Sequence, residues 1–208
     1  MTKKRSSSST RWLQEHNKDP FVIQAQKLNL RSRAHFKLAE IQEKTKFIKP
    51  GMQIIDLGAA PGAWSVLAAQ LIGRSGKLIS SDLLTMPAIK NQIFIQGDFN
   101  DQQIQQQIIQ HCNSKKVDVI LSDIAPNTSG IKNADQLKAI QLAESVLAFS
   151  EQHLSANGVL LVKLFHGIGF DDYLKQARQL FDKIKIFKPQ ASRNRSTECY
   201  LLATSHLD

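Results

Sequence analysis

The sequence predicts an α/β fold: a doubly wound sheet, mostly parallel, with helices on both faces and a final antiparallel strand. Three observations predict it. Short apolar runs alternate with helical apolar patterns along most of the 208 residues, the mark of a parallel sheet covered on both sides. The run Ile54-Ile55 passes through Asp56-Leu57-Gly58-Ala59-Ala60-Pro61-Gly62-Ala63-Trp64 straight into a helical pattern, and such strand-to-helix turns are where open α/β sheets bind ligands. The last two apolar runs, 183–187 and 198–204, are joined by a polar loop without a helix, so they pair antiparallel.

Taken in order, Ala34, Leu38 and Ile41 recur at three and four residues and put an apolar stripe on a helix between Arg31 and Phe47 that stops before Pro50-Gly51. Strands are predicted near 53–57, 78–82, 92–96, 117–122, 158–165, 183–187 and 198–204, with further helices near 63–72, 101–110, 134–154 and 170–181. The glutamine cluster from Gln102 to Gln110 carries Ile104, Ile108 and Ile109 at helical spacing and reads as an ordinary helix.

Composition is globular, 42% hydrophobic and 22% charged, with enough chain for one buried core. A single domain is expected over 31–208, preceded by a basic, partly disordered segment over 1–30. No apolar run is long enough to cross a membrane, and the Ser- and Lys-rich start lacks the apolar stretch of a signal peptide; a cytoplasmic protein without membrane association is expected. Cys112 and Cys199 have no metal-ligand spacing, so neither zinc nor a disulfide is expected. The net charge of +9 is concentrated at one end: residues 1–49 hold 12 Lys and Arg against 4 Asp and Glu. That polarity is the electrostatic footprint of a phosphate-backbone binder, although a solubilising tail has the same composition.

The glycine turn is informative through what it lacks. A pyrophosphate-binding G-x-G-x-x-G loop needs glycine where Ala60 stands, and a Walker loop needs Lys-Ser or Lys-Thr where Ala63-Trp64 stands. A dinucleotide or nucleoside triphosphate fits poorly, whereas S-adenosylmethionine needs glycine clearance without an anion cradle. An ordinary tight turn would read the same way, so the loop alone names no reaction. Acidic residues end the following strands: Asp82 for ribose hydroxyls, Asp98 for an adenine amine, and Asp123 near the transferring group, though each is also a common turn or cap residue. Trp64 reads as core or as a pocket wall. Lys163 lies inside the apolar run Val159–Phe165, where a charge is costly unless paired. It is an edge-strand lysine or a base, since burial beside other cations frees an amine to accept a proton.

Five segments occur together in order: Ser32-Arg33-Ala34-His35-Phe36-Lys37-Leu38, Asp56–Trp64, Ser122-Asp123-Ile124-Ala125-Pro126-Asn127, Val162-Lys163-Leu164-Phe165 and Ser192–Tyr200. In this the chain resembles the RlmE/FtsJ/RrmJ family of ribosomal RNA ribose 2′-O-methyltransferases, from about Arg31 to Thr204. The resemblance implies a class I methyltransferase, Rossmann-like sheet, and S-adenosylmethionine as methyl donor with no metal required. It implies a catalytic set of Lys163 as proton acceptor with Lys37, Asp123 and Glu198, and cofactor contacts at Gly62, Trp64, Asp82, Asp98 and Asp123. The implied substrate is a uridine of 23S rRNA, met within the large ribosomal subunit by a monomeric enzyme. Arg31, Arg33, Arg193 and Arg195 are then expected to grip phosphates. Two residues depart from the family pattern: Ala63 replaces a glycine and His166 a glutamine. A transfer-RNA methyltransferase, a non-catalytic RNA-binding module of the same fold and a nicotinamide-dependent oxidoreductase are the competing readings.

Overall fold

The computed structural model describes residues 17–112, 116–127, 129–193 and 195–207. The expected disorder of residues 1–10 lies outside the described residues. In chain order the elements are α1 (Pro20–Lys27), α2 (Ala34–Thr45), β1 (Gln53–Leu57), α3 (Ala63–Ile72), β2 (Lys77–Asp82), β3 (Gln92–Gln96), α4 (Gln102–His111), β4 (Val117–Ser122), α5 (Lys132–His153), β5 (Leu154–Phe165), α6 (Phe170–Leu180), β6 (Phe181–Phe187) and β7 (Glu198–His206). Helix α1 falls within the basic segment and is an addition to the periodicity reading. It opens on Asp19-Pro20, with the Asp19 carboxylate accepting from the backbone N–H groups of Phe21 and Val22, a helix start in which proline costs nothing.

The strands form one seven-stranded sheet in the order β3-β2-β1-β4-β5-β7-β6. Neighbours from β3 to β5 run parallel, while β7 lies antiparallel between β5 and β6, so the mostly parallel sheet with its antiparallel hairpin is as the apolar runs predict. Strand β5 starts at Leu154, earlier than expected, because α5 passes into it without a loop. Asn157 takes φ 63 there and the register against β4 shifts between Val117 and Val119.

Alternation along the strands divides the core into two layers. Ile54, Leu78, Val119, Leu121 and Leu161 pack with α2 and α3. Ile55, Leu57, Ile79, Ile120, Leu160 and Val162 face α4, α5 and α6. Each fully buried side chain of this size contributes about 1.5–3 kcal/mol by leaving water. Cys112 and Cys199 are both buried free thiols. Among the described residues no helix is long and apolar enough to cross a membrane.

One polar group interrupts the layer under α3. Asp56, fully buried near the carboxyl end of β1, accepts a hydrogen bond from the Ser65 hydroxyl at 2.5 Å, and Ser65 meets Ser80 at 3.0 Å. Burial pushes the Asp56 carboxyl up to about 7; the Ser65 bond opposes this, while Asp123 and Asp82 reinforce it. Because the folded-state value is raised, this group's contribution to stability is complete below the unfolded value of 3.8 and is lost as pH rises to about 7. Asp56→Asn, which cannot ionise but can still accept from Ser65, is expected to raise the urea midpoint relative to the natural chain at pH 8. That gain should shrink as the titration is repeated toward pH 4; a gain independent of pH would refute ionisation as its source.

Candidate active site

The strand order reverses between β1 and β4, and at such a switch point the loops leaving the strands' carboxyl ends splay apart to form a crevice. A cavity of about 230 Å³ lies there, with Gly58, Asp82, Asp98, Phe99, Ile124 and Asn127 among its lining residues. Of the described residues that line it, none is Lys or Arg, so it suits an uncharged or cationic nucleoside better than a phosphate. The Asp82 carboxylate accepts from the backbone N–H groups of Ala60 and Leu84, both at 2.8 Å. It therefore braces the glycine turn from below while facing the cavity. Asp98, exposed and two residues beyond β3, accepts from the Asn100 N–H at 2.9 Å.

The two glycines are required, but protein groups press on both. A Cβ on Gly58 (φ +73) would lie 2.7 Å from the Ile124 side chain and 2.8 Å from its backbone nitrogen. On Gly62 (φ +98), which begins α3, it would lie 2.2 Å from Arg31 Nη1. The expectation that the turn clears space for a cofactor is thus corrected in part. Gly58 lines the cavity and also admits the β4 loop; Gly62 does not line it and admits Arg31.

Arg31 also departs from expectation. Its guanidinium donates to the Pro61 and Ala88 carbonyls, both at 3.1 Å, bridging the glycine turn to the segment before β3. Arg33 pairs with the Asp19 carboxylate and donates to the Ala191 carbonyl, tying α1 to the β6–β7 loop. Both cations bind protein groups, a role beyond the expected phosphate grip, and Arg33 also lines the basic cleft described below. Trp64 is core: it is 2% exposed, its indole N–H donates to the Ala34 carbonyl at 2.8 Å, and its ring lies 5.5 Å from Tyr200. Its side chain seats α2 on α3 instead of walling the cofactor cavity.

Beside the crevice, the sheet brings together all four residues of the expected catalytic set. Lys163, on β5, pairs with Asp123 Oδ1 at 2.8 Å and donates to the Asp123 carbonyl at 2.7 Å. Lys37, on the face of α2 turned to the sheet, pairs with Glu198 at 2.8 Å. Tyr200 joins the pairs: Lys37 donates to its hydroxyl at 3.0 Å, and that hydroxyl donates to Asp123 Oδ1 at 2.8 Å. Ser192 donates to Glu198 at 2.7 Å. Burial alone would raise both carboxyls, but the lysines reverse it. Lys163 and then Lys37, with a hydrogen bond from Tyr200, hold Asp123 below the usual carboxylate value, and Lys37 and then Lys163 do the same for Glu198. Burial, followed by these carboxylates, drives the Tyr200 phenol well above its ordinary value, so it remains a donor.

Tyr200 and Ser192 were missed by sequence reasoning. Tyr200 was within reach of it: two residues after Glu198 on one strand, it shares that residue's face. In the sheet it stands opposite Lys163. A cleft of about 470 Å³, lined by Arg33, Lys37, Arg193, Arg195, Ser196 and Glu198, opens onto the network. Arg193 and Arg195 thus occupy the cleft wall where an anionic chain would approach. The His166 ring lies tilted against Phe170 at 4.4 Å between centroids, and Ala63 is buried in the first turn of α3.

The FtsJ-like methyltransferase family model matches residues 30–206. Among solved structures, this chain is similar to a Plasmodium falciparum protein described as a ribosomal RNA methyltransferase, at 29% identity and TM-score 0.76, covering 85% of this chain and 98% of that one. Two more distant structures share the fold at 14% identity. One, from Clostridium thermocellum and described as an rRNA methylase, has TM-score 0.55 and coverage of 80% and 96%. The other, a SAM-dependent O-methyltransferase of Thermotoga maritima, has TM-score 0.50 and coverage of 82% and 64%. With the glycine turn, the strand-end aspartates and the lysine–carboxylate network in place over nearly the whole matched length, the chain belongs to the FtsJ-like methyltransferase family.

Proposed function

We propose that this protein transfers a methyl group from S-adenosylmethionine to the ribose 2′-hydroxyl of a uridine in 23S rRNA of the large ribosomal subunit. It would act in the cytoplasm as a monomer, with 31–208 as the catalytic domain and 1–30 as a basic RNA-contacting arm. The observation that carries the reading is the juxtaposition of two features: a cavity without basic lining at the switch point, and a buried lysine held by Asp123, the residue next to Ile124 of the cavity wall. The residues present fit the donor. Asp82 and Asp98 offer acceptors for ribose hydroxyls and an adenine amine, Phe99 and Ile124 offer apolar surface, and the surplus of carboxylates favours a sulfonium cation. S-adenosylmethionine, when bound, supplies an electrophilic methyl on a sulfur that leaves uncharged, so the protein needs a base and alignment but no general acid.

In its neutral form Lys163 takes the 2′-hydroxyl proton as the oxygen attacks. Asp123 fixes the direction of that amine through two contacts and so limits where the acceptor oxygen can sit. Lys37, held by Glu198 and Tyr200, places a positive charge beside the developing alkoxide. Arg193 and Arg195 hold the RNA backbone in the cleft without reading its sequence. Alignment of oxygen, carbon and sulfur is worth up to roughly 7–11 kcal/mol, against a factor of about 10²–10⁴ for the base. Orientation therefore outweighs basicity.

Lys163→Ala is expected to lower methyl transfer by about 10²-fold or more while S-adenosylmethionine still binds, measured by titration calorimetry and by mapping 2′-O-methyl groups on rRNA from complemented deletion cells. Full activity in that variant would sink the assignment, and a methyl group missing from tRNA instead would move the substrate. Arg31→Ala removes two hydrogen bonds that hold the glycine turn, and is expected to weaken S-adenosylmethionine binding about fivefold, the worth of roughly 1 kcal/mol. Arg31→Lys should restore it only in part, since a single ammonium lacks the planar fork whose two ends reach Pro61 and Ala88 separately. If Arg31 were instead a phosphate grip, donor affinity would stay unchanged and only the salt dependence of RNA binding would move.

A further inference from the structure

A third cavity, of about 230 Å³, adjoins this site and has no part in the mechanism above. Its lining includes Ala125, Pro126, Phe165, Thr197, Gln136 and Ala139. In sequence these walls sit beside the catalytic network: Ala125 is two residues after Asp123, Phe165 two after Lys163, and Thr197 immediately precedes Glu198. Ala125 and Pro126 also line the proposed donor cavity, so the two spaces share a wall.

The acceptor nucleotide explains what such a space is for. The Lys163 side chain is only 8% exposed, and a 2′-hydroxyl must come within hydrogen-bond reach of its amine. A ribose delivered to that depth cannot keep its base stacked in an RNA helix, so the base must be extruded and needs a receiving surface. The base is attached to the carbon next to the one bearing the reacting oxygen, so that surface must lie immediately beside Lys163. Like the donor cavity, it is smaller than the roughly 300–1,000 Å³ of pockets that enclose a whole ligand, so each takes one ring system and leaves the rest of its ligand outside.

Its chemistry fits a nucleobase as well. Phe165, Pro126 and the two alanines offer apolar surface for the faces of a ring, while the Gln136 amide and the Thr197 hydroxyl can each donate and accept at its edge. Gln136 has been given room: Gly167 (φ +145) leaves a gap in which a Cβ would lie 2.4 Å from the Gln136 amide nitrogen. That amide donates at the long distance of 3.4 Å to the His166 carbonyl, so it is placed but weakly engaged. We infer that this cavity receives the base of the nucleotide whose ribose is methylated, with Gln136 and Thr197 at the base edge. This inference rests on the proposed 2′-O-methyl transfer.

The test uses the full chain, S-adenosylmethionine, and large ribosomal subunits from cells that lack the protein. Ala139→Phe places a ring in the cavity from α5, and Gln136→Ala removes the edge partner. Each is expected to lower kcat/KM for subunits about tenfold or more, the scale of a lost base-stacking contact, with calorimetric affinity for S-adenosylmethionine unchanged. Leu137→Phe, on the same helix but exposed and outside the lining, is expected to match the natural chain. Unchanged turnover in Ala139→Phe overturns the inference, as does a loss that tracks weaker donor binding, which would assign the cavity to the donor. If Ala139→Phe does not fold, wild-type turnover in Gln136→Ala overturns it equally. A natural chain that places no 2′-O-methyl group on the subunits overturns the proposed function itself, and so separates that failure from failure of the base site.

Discussion

Two lysines and two carboxylates are drawn out of water at one edge of this sheet, and the requirement that they neutralise one another constrains much of the rest. Removing one partner of a buried pair costs about 3–5 kcal/mol because the other charge is left unpaired. Lys163 therefore has its carboxylate within 2.8 Å, and Lys37 has its own at the same distance. These groups come from α2, the end of β4, β5 and the start of β7, so satisfying them fixes four elements relative to one another. The antiparallel insertion of β7 beside β5 is what makes this possible. It sets Tyr200 opposite Lys163 and Glu198 opposite Phe165, delivering a phenol and a carboxylate from a strand running against its neighbours.

The network is also a single electrostatic unit. Tyr200 receives from one lysine and donates to the carboxylate of the other, and since burial and these same carboxylates hold its proton in place, the direction of that chain is fixed. Asp123 and Glu198 each lie below their ordinary values because both lysines act on both carboxylates. A change at any member is thus felt by the pair it does not touch. The proposed division into one lysine that accepts a proton and one that stabilises charge is made by position: Lys163 is held by Asp123, two residues before the wall shared with the donor cavity, while Lys37 lines the basic cleft.

Much of this was legible in the sequence, and the gaps have physical causes. Seven strands could be read because a sheet covered on both faces needs near-continuous apolar runs. The start of β5 was misplaced because α5 runs into it with no turn residue at the junction. Helix α1 was missed because eight residues with only Val22 and Ala25 buried carry too little periodicity; its signal was the Asp19-Pro20 cap. Lys163 stood out because a charge in an apolar run demands a partner. Tyr200 did not, because a tyrosine in a strand is ordinary and its hydroxyl partners lie 163 and 77 positions away. Arg31 and Arg33 read correctly as basic, but their second role, holding the protein's own carbonyls and the Asp19 carboxylate, did not show. The carbonyls that hold Arg31 are 30 and 57 positions distant, and backbone carbonyls leave no trace in composition.

The glycine turn is where the donor and acceptor halves are mechanically joined. Helix α3 starts at Gly62, whose bare Cα admits Arg31, and Arg31 holds the turn through Pro61. One residue into α3, Trp64 donates to the carbonyl of Ala34, the first residue of α2. Lys37 lies three residues further along α2, about one turn and therefore on the same face. The helix that carries the donor loop thus also carries, through one indole hydrogen bond and one arginine, the helix that presents a lysine to the acceptor. In-line transfer tolerates little misalignment, and a joint this short keeps thermal displacement of the two halves correlated: what moves the glycine turn moves Lys37 with it.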